Sequence, residues 1–259
     1  MSFVYAIAFE PFISGYVAYM LKYLLLFYPK EKASLKKKGF VNIHTYQTKM
    51  WRRGNELDGA HRRYFKAKYN NKKVFVKVAF NDATIDNEIY MSEVLSLISE
   101  SHIPLPVVSS SCFQDNKKML AIEFFDGLRP FSMPASEKIF EGYCYEFYCL
   151  LENLDKHRIV HADIHPKNLM IDGDNHIHLL DFGISSVVGK PNHVDYNARP
   201  GTWYAEEGEY RIYDDAYSFV KMCNKLKMPN SYVNKYYKKI EKRIGENVLK
   251  IHIKRKDLS

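Results

Sequence analysis

Cysteine is scarce in this chain. Four residues, Cys112, Cys144, Cys149 and Cys223, are scattered over 259 positions with no C-x-x-C spacing. That excludes a disulfide scaffold and leaves free thiols in a reducing compartment. Zinc chemistry lacks its donors: His176 and His178 share one strand face, with no cysteine or third histidine beside them. "DGDN" at 172–175 lacks the remaining ligands of a calcium loop and reads as a hairpin turn. No nucleic-acid motif accompanies the positive charge, so charge alone does not argue for that partner. Internal repeats and low-complexity tracts are absent too. What remains is an ordinary globular composition, 46% hydrophobic and 26% charged, with 20 Tyr and 16 Phe to fill a sizeable core.

The net charge of +8 is unevenly placed. Residues 221–259 hold 12 Lys/Arg against 3 Asp/Glu, which is +9 in this tail and about −1 elsewhere. A second basic cluster, "PKEKASLKKKG", holds five lysines and one glutamate. Each reads as a solvated, helix-compatible surface, and the pair also suits an anionic partner such as a membrane surface. Before the second cluster lies "FISGYVAYMLKYLLLFY", Phe12 to Tyr28, with Lys22 its single charge. Seventeen residues is the lower limit for a spanning helix, and the lysines after it would hold that end in the cytoplasm. No basic region precedes the run and no small-residue cleavage site follows it, against a cleaved signal peptide. Two readings stand level: residues 1–28 attach a cytoplasmic protein to a membrane, or they form a helix packed on the main domain.

Downstream of Gly39 the pattern changes. "RRYFKAKYNNKKVFVKVAF" predicts two strands around an Asn-Asn turn, and "TIDNEIYMSEVLSLISE" predicts a helix. "IPLPVVSSSCF" and "KKMLAIEFF" are further extended segments. From "SEKIFEGYCYEFYCLLENLDKHR" onward helices dominate, with Ser136 as the N-cap of the first. "NLMI" and "HIHLL" then flank the D-G-D-N turn as a strand pair. A strand-rich part followed by a helical part, with polar residues between, predicts two lobes and a cleft.

Those polar residues are Asp163, Asn168 five positions on, and Asp181 thirteen further, in "HADIHPKNLMIDGDNHIHLLDFG". The compound pattern H-x-D-x-x-x-x-N followed by D-F-G resembles the protein-kinase-like superfamily over about residues 55–225. The resemblance implies an α+β bilobal fold, with a small antiparallel-sheet N-lobe carrying one main helix and a mostly helical, shortened C-lobe. The domain boundaries that follow are 1–38 for the apolar segment and basic linker, 39–126 for the N-lobe, and 127–259 for the C-lobe and tail. It also implies ATP and Mg²⁺ as cofactors. Asp163 would orient the accepting hydroxyl and take its proton, while Asn168 and Asp181 bind the metal. In "VFVKV", Lys77 resembles the strand lysine that grips the α- and β-phosphates and needs an acidic partner. Glu93 and Glu88 compete for that role, and the distance from Glu93 to the following Ile-Pro matches the family better. "AIEFFDG" resembles the hinge, where backbone groups near Glu123 and Phe125 would pair with adenine. "GTWYAEE" and "DDAYSF" resemble the end of the activation loop and the start of a bracing helix, with Asp215 as the brace.

Departures bear on the substrate. Only Gly59 stands at one of three expected glycines of the phosphate loop, with Leu57 and Arg62 at the others. Phe75 replaces a small residue against adenine, which implies a tight or altered pocket. His165 stands where Ser/Thr protein kinases place a lysine, and "DIHPKN" looks more like aminoglycoside, choline and other small-molecule kinases. Lys167 could still reach the γ-phosphate. The short stretch after Asp215 resembles minimal kinases, including the RIO type and lipopolysaccharide-core kinases. Three functions follow in order: a kinase acting on protein Ser/Thr, a kinase acting on a glycan hydroxyl of a lipopolysaccharide core or capsule, and a pseudokinase that binds without turnover.

Overall fold

The structure, a computed structural model, describes residues 28–46, 62–80, 83–98, 102–114, 117–190, 205–229, 231, 238–245 and 251–254. The apolar run up to Phe27, Leu57, Gly59, the first four residues of "GTWYAEE" and much of the basic tail lie outside the described residues. The fold is α+β, in two compact units. One comprises residues 1–82 and 107–124, the other 83–106 and 125–259. Among the described residues no helix is long and apolar enough to cross a membrane.

The first unit is built on a five-stranded sheet. Helix α1 (Tyr28–Lys37) leads into β1 (Val41–Thr45), β2 (Arg62–Tyr69) and β3 (Lys72–Phe80). After helix α2 (Ala83–Leu95) the chain returns with β4 (Pro106–Gln114) and β5 (Lys117–Glu123), and the strand order is β1-β2-β3-β5-β4. The β2–β3 turn is the predicted Asn-Asn pair. Asn70 (φ 48°) and Asn71 (φ 65°) both take the left-handed conformation that a two-residue hairpin turn requires and that asparagine tolerates. Period-two alternation then sends Val74, Val76 and Val78 to one face, all fully buried with Phe65, Met119 and Ala121. Helix α1 covers part of this core through Leu35. Its Glu31 is only 1% exposed and meets Lys117 Nζ at 2.9 Å, a buried charge matched by its opposite. The lysines at 30, 36, 37 and 38 stay exposed.

The second unit has a larger, helical core. Strand β6 (Arg129–Pro130) precedes helix α3 (Glu137–Lys156), whose start is capped by Ser136 accepting from the Ile139 N–H at 3.4 Å. Its apolar side, including Phe140, Phe147, Leu150 and Leu154, is buried. Strands β7 (Ile159–Val160), β8 (Leu169–Ile171), β9 (Ile177–Leu179) and β10 (Ser186–Val187) follow, then β11 (Ala205–Glu207) and β12 (Tyr210–Tyr213). Helix α4 (Asp215–Lys225) begins at an Asp214 cap and stacks Phe219 on Phe147, ring centroids 4.2 Å apart. Helix α5 (Lys238–Gly245) adds Ile240 to the core, and β13 (Ile251–Lys254) pairs with β12. Helix α2, grouped by the sequence pattern with the strand-rich part, packs Met91 and Leu95 into this helical core.

Candidate active site

Within the second unit, the loop between β7 and β8 is held by buried hydrogen bonds. Asp215, at the first turn of α4, accepts from the backbone N–H of His161 (2.7 Å) and of Ala162 (2.9 Å). Ala162 sits at φ 64°, unfavourable for alanine, so those bonds hold a strained turn in place. Burial pushes the Asp215 carboxyl up to about 7, against the pull of the two N–H groups. His161 is fully buried. Its Nδ1 accepts from the Asp163 N–H at 3.2 Å and its Nε2 faces the Leu180 carbonyl at 3.0 Å, which places the single proton on Nε2. Burial pushes this ring down to about 4, so it stays neutral.

Asp163 carries its own set of partners. Asn168 Nδ2 donates to Asp163 Oδ2 at 2.9 Å and to its carbonyl at 3.1 Å. His165 Nε2 lies 3.6 Å from the same Oδ2, and His165 Nδ1 accepts the Lys167 N–H at 3.1 Å. Burial alone would raise Asp163, but the nearby His165 donor and charge, with His161, outweigh it and hold the carboxyl below its usual range. An ionised carboxylate is thus maintained in a largely buried setting.

The β8–β9 hairpin brings the third oxygen-bearing residue to this loop. Leu169 pairs with Leu179, and the Leu180 N–H donates to the Asn168 carbonyl at 2.8 Å. Asn168 and Asp181 therefore flank the open end of one short ladder. Asp181 takes φ 65°. At the closed end, Asp172 Oδ1 accepts from the N–H groups of Asp174 (2.9 Å) and His176 (2.8 Å), the side-chain-to-backbone pattern of a tight turn. The strand histidines are each engaged: His178 Nε2 with Asp172 at 2.9 Å, and His176 Nδ1 with Glu146 of α3 at 2.6 Å. Glu146 also accepts the Ile177 N–H at 2.9 Å, which fastens the hairpin to the long helix.

The remaining expected residues lie elsewhere. Lys77 in β3 faces away from the fully buried valines, opposite Tyr64 of β2, and is itself 8% exposed. Phe75, two residues earlier on the same face, stacks on Tyr64 at 5.5 Å and meets Tyr46 edge-on at 5.4 Å. Glu123 ends β5 within 3.5 Å of Lys72 Nζ. Phe125, in the second unit, packs against His178 at 4.6 Å. Lys167 and Glu93 are exposed, whereas Glu88 on the same helix is 6% exposed. Gly59 lies outside the described residues. Sequence reasoning read His165 only as a departure bearing on the substrate, not as a neighbour of Asp163. It missed other partners that hold the site: His161 on the loop, Ser185, whose hydroxyl donates to the His161 carbonyl at 3.0 Å, and Asn87 of α2. The H-x-D spacing signalled His161, but nothing in the pattern signalled Asn87.

Comparison with known proteins bears on this geometry. The family described as the protein kinase domain matches residues 59–230. A cAMP-dependent protein kinase catalytic subunit of Dictyostelium discoideum is 35% identical over 106 residues, 38% of this chain and 16% of the relative. The corresponding subunit of Schizosaccharomyces pombe is 28% identical over 160 residues, 59% of this chain and 30% of the relative. The serine/threonine-protein kinase CLA4 of Candida albicans is 26% identical over 123 residues, 45% of this chain and 13% of the relative. The chain thus spans less than a third of the length of these relatives.

Proposed function

The chain belongs to the protein kinase domain family, and on that footing we propose that it is an ATP- and Mg²⁺-dependent phosphotransferase that moves the γ-phosphate to a hydroxyl, with Ser/Thr of a protein as acceptor. The observation that carries this reading is the Asp163 carboxylate, held ionised beside His165 and tied to Asn168 at the open end of the Asp181 hairpin. Phosphoryl transfer asks little covalent chemistry of a protein. It needs oxygen donors for a cation that neutralises the polyphosphate, and a base positioned on the attacking oxygen. Asn168 commits its amide nitrogen to Asp163, which leaves its oxygen as the donor for a metal, and Asp181 supplies a second.

Asp163 then orients the acceptor hydroxyl and receives its proton. Held below its usual range it is deprotonated and ready to accept a hydrogen bond but is a weak base, so orientation is the larger part of its task. Lys77 grips the α- and β-phosphates, and exposed Lys167 reaches the phosphate being transferred. For the acidic partner of Lys77, spacing favours Glu93, and Glu88, buried on the same helix, is the alternative. The names of the relatives favour a protein acceptor. The aromatic layer of Phe75, Tyr64 and Tyr46 beside Lys77 supports a base site reshaped around stacking.

The test uses purified protein with radiolabelled Mg-ATP and three acceptor sets: generic Ser/Thr protein substrates, lipopolysaccharide-core sugars, and none. Label on Ser/Thr is expected, and Asp163→Ala should lose at least about 100-fold in turnover while nucleotide binding persists. Label on sugar alone would replace the protein acceptor. Nucleotide binding without transfer to any acceptor would mark a binding module instead.

A further inference from the structure

Asn87 is 6% exposed on α2, and its side-chain amide points into the loop that follows β9. Asn87 Nδ2 lies 3.3 Å from the Phe182 carbonyl, 3.2 Å from that of Gly183 and 2.9 Å from that of Ser185. One amide carries two hydrogens, so three carbonyls share them. All three residues are buried, where a carbonyl without a donor is costly. Phe182 also accepts the Ser185 N–H at 3.2 Å within the turn, and Asn87 adds the fastening to the helix.

A second, independent observation places the same helix against the same loop. A Cβ at Gly183 would come within 3.2 Å of Asp181 Oδ1 and 3.4 Å of Thr84 Cβ, with the Thr84 carbonyl at 3.6 Å. A methyl group there would press on the Asp181 carboxylate and touch Thr84, so helix, glycine and aspartate lie close together. Asp181 itself is at φ 65°, a left-handed conformation that aspartate tolerates better than most residues but at some cost, which the packed surroundings offset. The Ser185 hydroxyl ties the loop to residue 161, and Asn87 ties it to α2.

We propose that Asn87 is a positioning residue for the metal site, holding the 181–185 loop in the left-handed turn that aims the Asp181 carboxylate. This rests on the reading of Asp181 as a metal ligand. Asn87 also immediately precedes Glu88, so whatever displaces that turn of α2 releases the metal loop together with the acid.

The test compares Asn87→Leu, of similar size with no donor, and Asn87→Ser, a milder loss should the leucine variant fold poorly. Two readouts are taken on the full chain: amide hydrogen exchange over residues 182–186 against residues 137–156, and the Mg²⁺ concentration for half-maximal binding of a fluorescent ATP analogue. Faster exchange confined to 182–186 is expected, with the Mg²⁺ requirement raised roughly 10–100-fold, the usual cost of losing a residue that orients a metal ligand. Binding of the analogue without metal should be unchanged. Unaltered loop exchange, or exchange that rises equally in both segments at an unchanged Mg²⁺ requirement, overturns the proposal. If the wild-type protein binds the analogue with no Mg²⁺ dependence, the metal reading of Asp181 fails, and the exchange data still decide whether Asn87 holds the loop.

Discussion

His161 lies in the H-x-D pattern but touches no reacting group in the proposed chemistry. Its two nitrogens face the Asp163 N–H and the Leu180 carbonyl, so the neutral ring satisfies both and a second proton would have no acceptor. The folded value of about 4 lies below the ordinary 6.5, so between them the unfolded chain binds more protons. The contribution to stability is therefore complete above pH 6.5 and is lost as pH falls towards 4, on the order of 3 kcal/mol in all. Asp215 opposes this over the same range, because its raised carboxyl favours the fold at low pH and loses that advantage as pH rises towards 7. Subtracting the urea-unfolding stability of His161→Phe from that of the wild type isolates the histidine. The difference should shrink steadily from pH 6.5 to 4.5, and a flat difference would refute the assignment.

Helix α3 is the element on which the second unit is assembled. It is twenty residues long, buries one side along its length, and sends Glu146 to fasten the hairpin that carries Asn168 and Asp181. Its start depends on local chemistry that the sequence displays: Ser136 extended at φ −151° and accepting from the Ile139 N–H. Ser136→Ala should cost about 1 kcal/mol, read as a lower urea midpoint at an unchanged slope. Helix α2 teaches the opposite lesson. Its existence was plain from the pattern, but its allegiance was not, because Met91 and Leu95 could have packed on a sheet or on helices. The two acids behave likewise. Both acids were visible in the pattern, but which of them is buried, Glu88, and which exposed, Glu93, was set by the side of the helix that packs.

At the scale of the whole chain, the far C-terminal part supports the catalytic loop proposed above. Ile251 at the start of β13 packs on a small cluster of Val160, Ala162, Ile184 and Tyr213, directly behind that loop. The sequence showed only a basic, solvated tail there. Ile251→Asp should lower stability by roughly 1–3 kcal/mol and reduce turnover beyond what the unfolded fraction explains, measured by thermal melting beside the kinase assay. A tail that serves only as a charged surface would leave both unchanged.

Local signals sufficed where the physics is local. The Asn-Asn turn, the valine alternation in β3, the Ser136 cap and the D-G-D-N turn each follow from backbone preferences and side-chain periods a few residues long. The spacing of Asp163, Asn168 and Asp181 was legible for the same reason, since a short hairpin joins them. Tertiary structure decided how those residues are held. Resemblance named Asp215 as a brace, but the fold set its bonds to the N–H groups of His161 and Ala162, and it alone placed Asn87 across three carbonyls of the loop after Asp181. The Asp215 and Asn87 contacts join segments 53 to 98 residues apart in the chain. They follow from how the helices pack, and no short sequence pattern carries that information.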